Sequence, residues 1–287
     1  MNNFYNTNTQ ENEIKVHVTE LILTPLTCST IINEVIKYLL YQKSQIPYPY
    51  NWLKSVVKKK RTAEHADEKS VNFQAERHYT TVSTAYDSLE KLMNSITSEF
   101  EMYGTNINRL LIIFGSSIHT AKEIYTIRIP SLAFGHLEEN HVRINCKHQH
   151  KVMRNIVFSD AWVKAMNSSF PPTNMYVLIE KCDVKHDGQK TDLDFQLTKQ
   201  YSMCSRVKNV CIHLSYDENS KHNCCKNLVI FEDLKDKENS NINDASNSNT
   251  NDTTDEVIEK MLWFQSKTFI KGFKECFING VSATDLW

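Results

Sequence analysis

The chain has 287 residues with 33 basic and 34 acidic side chains, a net charge of -1, and is 40% hydrophobic and 23% charged. This near-neutral balance excludes a global pull toward nucleic acid or an anionic membrane, so partners must be met through local surfaces. No apolar run approaches the roughly 18 residues of a spanning helix, and the start Met1-Asn2-Asn3-Phe4 lacks the basic stretch and apolar run of a signal peptide, so a cytosolic or nuclear protein is expected.

Residues 1–20, rich in Asn and Thr, read as a disordered tail, and Leu21-Ile22-Leu23 as a short strand or anchor. Ile31, Ile32, Val35, Ile36, Leu39 and Leu40 then mark one buried face of a helix. Pro47 and Pro49 end it, since each lacks a backbone donor and pushes its predecessor toward extended geometry. Trp52, Leu53, Val56 and Val57 give a second, shorter stripe. Lys58-Lys59-Lys60-Arg61 follows, either a solvated helix end suited to the negative pole of the helix dipole or a contact for an import factor or acidic partner.

From about Val71 to Tyr103, a stripe of Val82, Ala85, Tyr86, Leu89, Leu92, Met93, Ile96 and Phe100 predicts a long core helix, with Gly104 placed as its C-terminal cap. Leu110–Phe114 and Ile124–Ile129 read as two strands, the first buried on both faces. Residues 145–167 predict a third helix with apolar groups on more than one face, so it either lies inside or shows one face to a partner. After Pro171-Pro172 the period changes to two. Residues 175–179, 195–201, 207–214 and 228–231 read as successive strands. Three helices on a mainly antiparallel sheet make an α+β fold in a single domain, with its core at 21–234. Residues 235–255, almost without apolar side chains, predict a disordered Asn/Ser/Asp-rich loop. Residues 256–287 return to strong hydrophobicity and read as a docked segment of the same domain.

Motifs for chemistry are weak. Cys146 with His148 and His150, and His222 with Cys224-Cys225, lack two well-spaced ligand pairs, so reduced thiols are expected rather than a metal site. Gly115-Ser116-Ser117 lacks the Gly-Lys-Ser/Thr of a phosphate loop, and Ser159-Asp160 has no histidine at a recognisable motif spacing. No cofactor and no catalysis are expected.

Three motifs carry a resemblance. Tyr41-Gln42-Lys43-x-Gln45-Ile46-Pro47-x-Pro49-Tyr50 resembles the segment after the first helix of comet, the family that binds the mitotic-arrest-deficient HORMA protein, here Mad-two. Arg109–Gly115 with Lys122-Glu123-x-Tyr125 is similar to the family's central hairpin, and Trp263-Phe264-Gln265 with Phe269-x-Lys271-Gly272-Phe273-Lys274-Glu275 to its C-terminal signature. The likeness spans roughly Leu26 to Glu275.

This resemblance implies a HORMA-like domain with a safety-belt-like C-terminal segment, and a non-catalytic adaptor. The adaptor would bind closed Mad-two and present it to a hexameric AAA+ ATPase of the pachytene-checkpoint type for conversion to the open form, silencing the spindle assembly checkpoint. It implies no nucleic-acid or membrane partner, and residence in nucleus and cytoplasm with spindle or kinetochore association in mitosis. By motif, Gln42 supplies a directional amide, and Met153, where the family tends to place an aromatic, is the apolar anchor with neighbours Arg154, Ile156 and Val157. The ATPase contact, a Pro-Lys pair in the family, falls on Leu197-Thr198 followed by Lys199. Trp263, Phe264, Gln265, Phe269, Gly272 and Phe273 form the structural signature. Two rivals stand beside this reading: a different HORMA-type scaffold of checkpoint or repair complexes that clasps a peptide under its own terminal belt, and an enzyme of unknown type.

Overall fold

A computed structural model describes residues 12–18, 23–63, 72–133, 138–182, 194–198, 201, 206–216 and 261–287, with backbone only for the start of one helix, at 138–147. The expected strand at 228–231, the polar loop 235–255, Lys199, Cys146, and the His222, Cys224 and Cys225 group lie outside what it describes.

The first helix, α1 (Pro25–Gln42), begins before its apolar stripe. Thr24 Oγ1 accepts from the Thr27 N–H at 3.2 Å, and Pro25 fills a first-turn position whose N–H would have no partner. Helix α2 (Tyr50–Ala63) buries Leu53 and Val57. Helix α3 (Phe73–Tyr103) has 31 residues, capped by the Asn72 side chain, which accepts from the N–H groups of Gln74 and Ala75. The residue after it, Gly104, is right-handed with φ -54, so it is not the left-handed cap expected. Glycine serves packing there, because a Cβ would sit 3.1 Å from the Pro25 side chain.

The single helix expected at 145–167 is two: α4 (Glu138–Val157) and α5 (Asp160–Met166). Ser159 makes the break. Its backbone is extended, its Oγ accepts from the Trp162 N–H at 3.3 Å, and Asp160 follows in the first turn, where a negative charge suits the helix dipole. Among the described residues, five α-helices therefore replace the three expected.

The strands are β1 (Glu13–Val18), β2 (Ile107–Gly115), β3 (Ala121–Arg128), β4 (Asn174–Cys182), β5 (Phe195–Leu197), β6 (Lys208–Tyr216), β7 (Met261–Ser266) and β8 (Ile270–Lys271). They form one sheet in the order β1-β6-β3-β2-β4-β7-β5, with β8 beside β4. Pairing is antiparallel except at β1–β6 and β3–β6, giving a mainly antiparallel α+β architecture. A separate hairpin joins β9 (Phe277–Ile278) to β10 (Val281–Ser282). Strand β1 corrects the expected tail at 1–20: Ile14, Val16 and Val18 are buried and alternate with exposed Glu13, Lys15 and His17. That period of two was masked by Asn-rich neighbours. The strand expected at 195–201 is shorter, ending at Leu197.

Central strand β2 explains the both-face burial read from its sequence. Leu110, Ile112 and Phe114 join the main core under the helices, while Leu111 and Ile113 meet Ile124, Leu178 and Tyr201 on the opposite face. Each such aliphatic side chain, fully removed from water, contributes about 1.5–3 kcal/mol.

Candidate partner interface

The three motifs that suggested a family meet in space. Lys43, just past α1, is buried and lies 2.6 Å from Glu123 on β3, whose other oxygen is 2.9 Å from Lys208 on β6. Burial pulls the Lys43 ammonium below its ordinary value, while Glu123 opposes that pull. Lys43 also donates to the carbonyls of Ala165, at 2.6 Å, and Ser168, at 2.9 Å, so the end of α5 is tied to the same cluster. Tyr125 stands beside Glu123, and burial together with that carboxylate pushes its phenol strongly up.

Gln45 joins the terminal segment to this junction. Its side-chain oxygen accepts from the Thr173 N–H at 2.8 Å, its amide donates to the Lys43 carbonyl at 2.9 Å, and its own carbonyl accepts from the Phe273 N–H at 2.9 Å. Gly272 is required by this crossing, since a Cβ would lie 2.8 Å from the Thr173 carbonyl and 3.0 Å from that of Gln45. Phe273 is buried, with Tyr48 and His78 against it.

The residues assigned to partner binding divide. Gln42 is half-buried, and its Oε1 accepts from Trp162 Nε1 at 2.7 Å, so its oxygen locks α1 to α5. Met153 is 5% exposed and Ile156 0%, both in the main core, and Val157 packs against that core. The expected apolar anchor is thereby corrected: α4 turns Val152, Met153 and Ile156 inward against α1 and β1. Its outward face carries Arg154 and Asn155, and Phe158, in the turn just past its end, is 73% exposed. Val163 on α5, 48% exposed, extends this corner. The sequence signal for it was Ser159: a cap there places Phe158 outside both helices.

Elsewhere, Leu197 is 61% exposed on β5, and the Thr198 N–H donates to the Trp263 carbonyl at 2.9 Å. Trp263, Phe264 and Gln265 are half-buried in β7, paired with β4, and Phe269 is exposed with its ring against Tyr176. Tyr38 and Tyr41, one turn apart on α1, are exposed with Trp52. An open groove of about 830 Å³ runs past Tyr41, Gln42, Pro47, Phe170 and Lys274. Among the described residues no group of His, Cys, Asp and Glu could hold a metal ion, and no helix is long and apolar enough to cross a membrane.

A family model described as "p31comet: Mad1 and Cdc20-bound-Mad2 binding" matches residues 21–232, more than half of the chain. The chain belongs to the p31comet family. It is also similar to the MAD2L1-binding protein of Mus musculus, with 28% identity over 106 residues, 37% of this chain. That match spans 38% of the mouse protein's length, so the whole relative's activity is not carried over by similarity. The p31comet match takes in α1 to β6 and the Lys43–Glu123 junction, and stops before β7. The family is thus one of Mad2-binding proteins and carries no catalytic description.

Proposed function

We propose that the chain is a non-catalytic adaptor that binds closed Mad2, in its Mad1- or Cdc20-bound form, and presents it to an AAA+ ATPase of the pachytene-checkpoint type. Conversion of Mad2 to the open form would then silence the spindle checkpoint, with the protein acting in nucleus and cytoplasm and reaching the spindle in mitosis. The domain is read as HORMA-like, with β7 and β8 as its safety-belt-like segment. The observation that carries the proposal is the α4–α5 corner, where Phe158 stands exposed in the turn after α4, its N–H donating to the Arg154 carbonyl, while the inner face of α4 is sealed. An adaptor needs a surface that fits one conformer of its partner, because a binder indifferent to both shifts neither. A large aromatic ring with a neighbouring guanidinium is the kind of pair that concentrates binding energy. The ATPase is assigned to the β5 end of the sheet, around Leu197, Thr198 and Lys199.

Size-exclusion chromatography with Mad2 locked closed or open tests the reading. Co-elution with the closed form alone is expected; co-elution with both forms, or with neither, removes it. Phe158→Asp should weaken the complex about thirtyfold or more, some 2 kcal/mol, with an unchanged melting curve. Full affinity in that variant would move the interface off this corner.

A further inference from the structure

Beyond Phe273, Ile278 and Ala283 pack with Ala75 of α3 in a small cluster bordered by Cys276 and Trp287, and Trp287 also touches the main core. Trp287 lies against Tyr79, ring centroids 5.2 Å apart, and against His78, 5.7 Å apart. Phe273 meets the His78 ring from another side at 6.2 Å. His78 is 8% exposed, and the polar group that faces its ring is the Lys274 backbone. The Trp287 indole nitrogen at the same contact is buried with no hydrogen-bond partner. Buried polar groups are normally paired, so an unpaired one under a short segment marks a contact that opens at little loss.

We propose that residues 276–287 form a flap closed over α3 by aromatic contacts to a neutral His78, and that adding a proton to His78 lifts it. The proton cannot be accommodated while the flap is shut. An imidazolium there would be shut away from water against two rings, with the Lys274 backbone and Glu275 its polar neighbours. The charged and titratable groups around it are Lys274, Glu275 and Asp285 on the terminal segment, Tyr48 ahead of α2, Tyr79 and Glu76 on α3, and Lys60 on α2, 3.6 Å from Glu76. Glu275 and the Lys274 backbone favour the cation, but burial outweighs them and holds the imidazole below its ordinary 6.5. The open state takes up a proton more readily than the closed one. The hold is therefore complete above the ordinary value and declines as pH falls beneath it. Opening would bare Ala75, His78 and Tyr79 on α3, residues outside the proposed adaptor function.

Hydrogen exchange of the full chain, corrected for the intrinsic pH dependence of exchange, tests this. Between pH 7.5 and 5.5, opening at 276–283 should rise by up to about tenfold, the limit for one proton over this range. In His78→Phe, which keeps a ring but cannot titrate, opening should be the same at both values. Equal opening at both pH values in the natural chain, or an unchanged response in His78→Phe, overturns the proposal. Should His78→Phe not fold, Trp287→Ala serves instead: its flap should exchange freely at both pH values, and a flap still protected in it overturns the clasp.

Discussion

At the junction of α1 with β3, one carboxylate is shared by two cations, and the Lys43 ammonium fills its remaining positions with the carbonyls of α5. Under the flap, the Trp287 indole nitrogen is shut away from water without a partner, against the buried His78 ring. The same terminal segment touches both places, through Phe273 at the first and Trp287 at the second. What separates them is the kind of contact: charged groups meet at the junction, and aromatic rings carry the flap. A buried charge cluster fixes one geometry, and a contact made of rings is less directional. The residues that identify the family at sequence level sit around the charged junction and are mostly architectural, whereas the exposed Phe158 corner stands outside all three motifs.

That contrast can be broken at its strong side. Glu123→Ala strands the buried Lys43 charge and should cost about 3–5 kcal/mol, read as a lower urea midpoint, with Mad2 binding lost only through unfolding. Gly272→Ala forces a Cβ to 2.8 Å from the Thr173 carbonyl, and overpacking of this kind costs about 1–3 kcal/mol. The same denaturation series would detect it, together with faster exchange at the Phe273 amide. Trp162→Phe is the mildest: it removes the donor to Gln42 Oε1 at the price of about 1 kcal/mol. A loss well above that value would mean that Gln42 holds α5 by more than this single bond.

Much of the architecture was readable in advance. The unbroken run Leu110–Phe114 announced a strand covered on both faces, and the stripe from Val82 to Phe100 announced α3. Strand β1 was missed because three alternating apolar residues are a short signal beside an Asn-rich stretch. Ser159-Asp160, weighed only as chemistry, was a helix cap, so α4 and α5 merged into one. The interface was read least well. Met153, Ile156 and Phe158 are all apolar and close in sequence, and only the packing of α4 on α1 and β1 decides which of them faces water. Gln42 was singled out as a partner contact, but a sequence cannot tell that Trp162 claims its oxygen.

Strand β1 lies parallel to β6, pairing Glu13 with Cys211 and Val18 with Tyr216. Nearly two hundred residues separate these neighbours. During synthesis Ile14, Val16 and Val18 must wait, uncovered, until the chain beyond Lys208 has left the ribosome. Such distant pairing makes for slow assembly, and it makes the nascent amino-terminal half a natural client for chaperones.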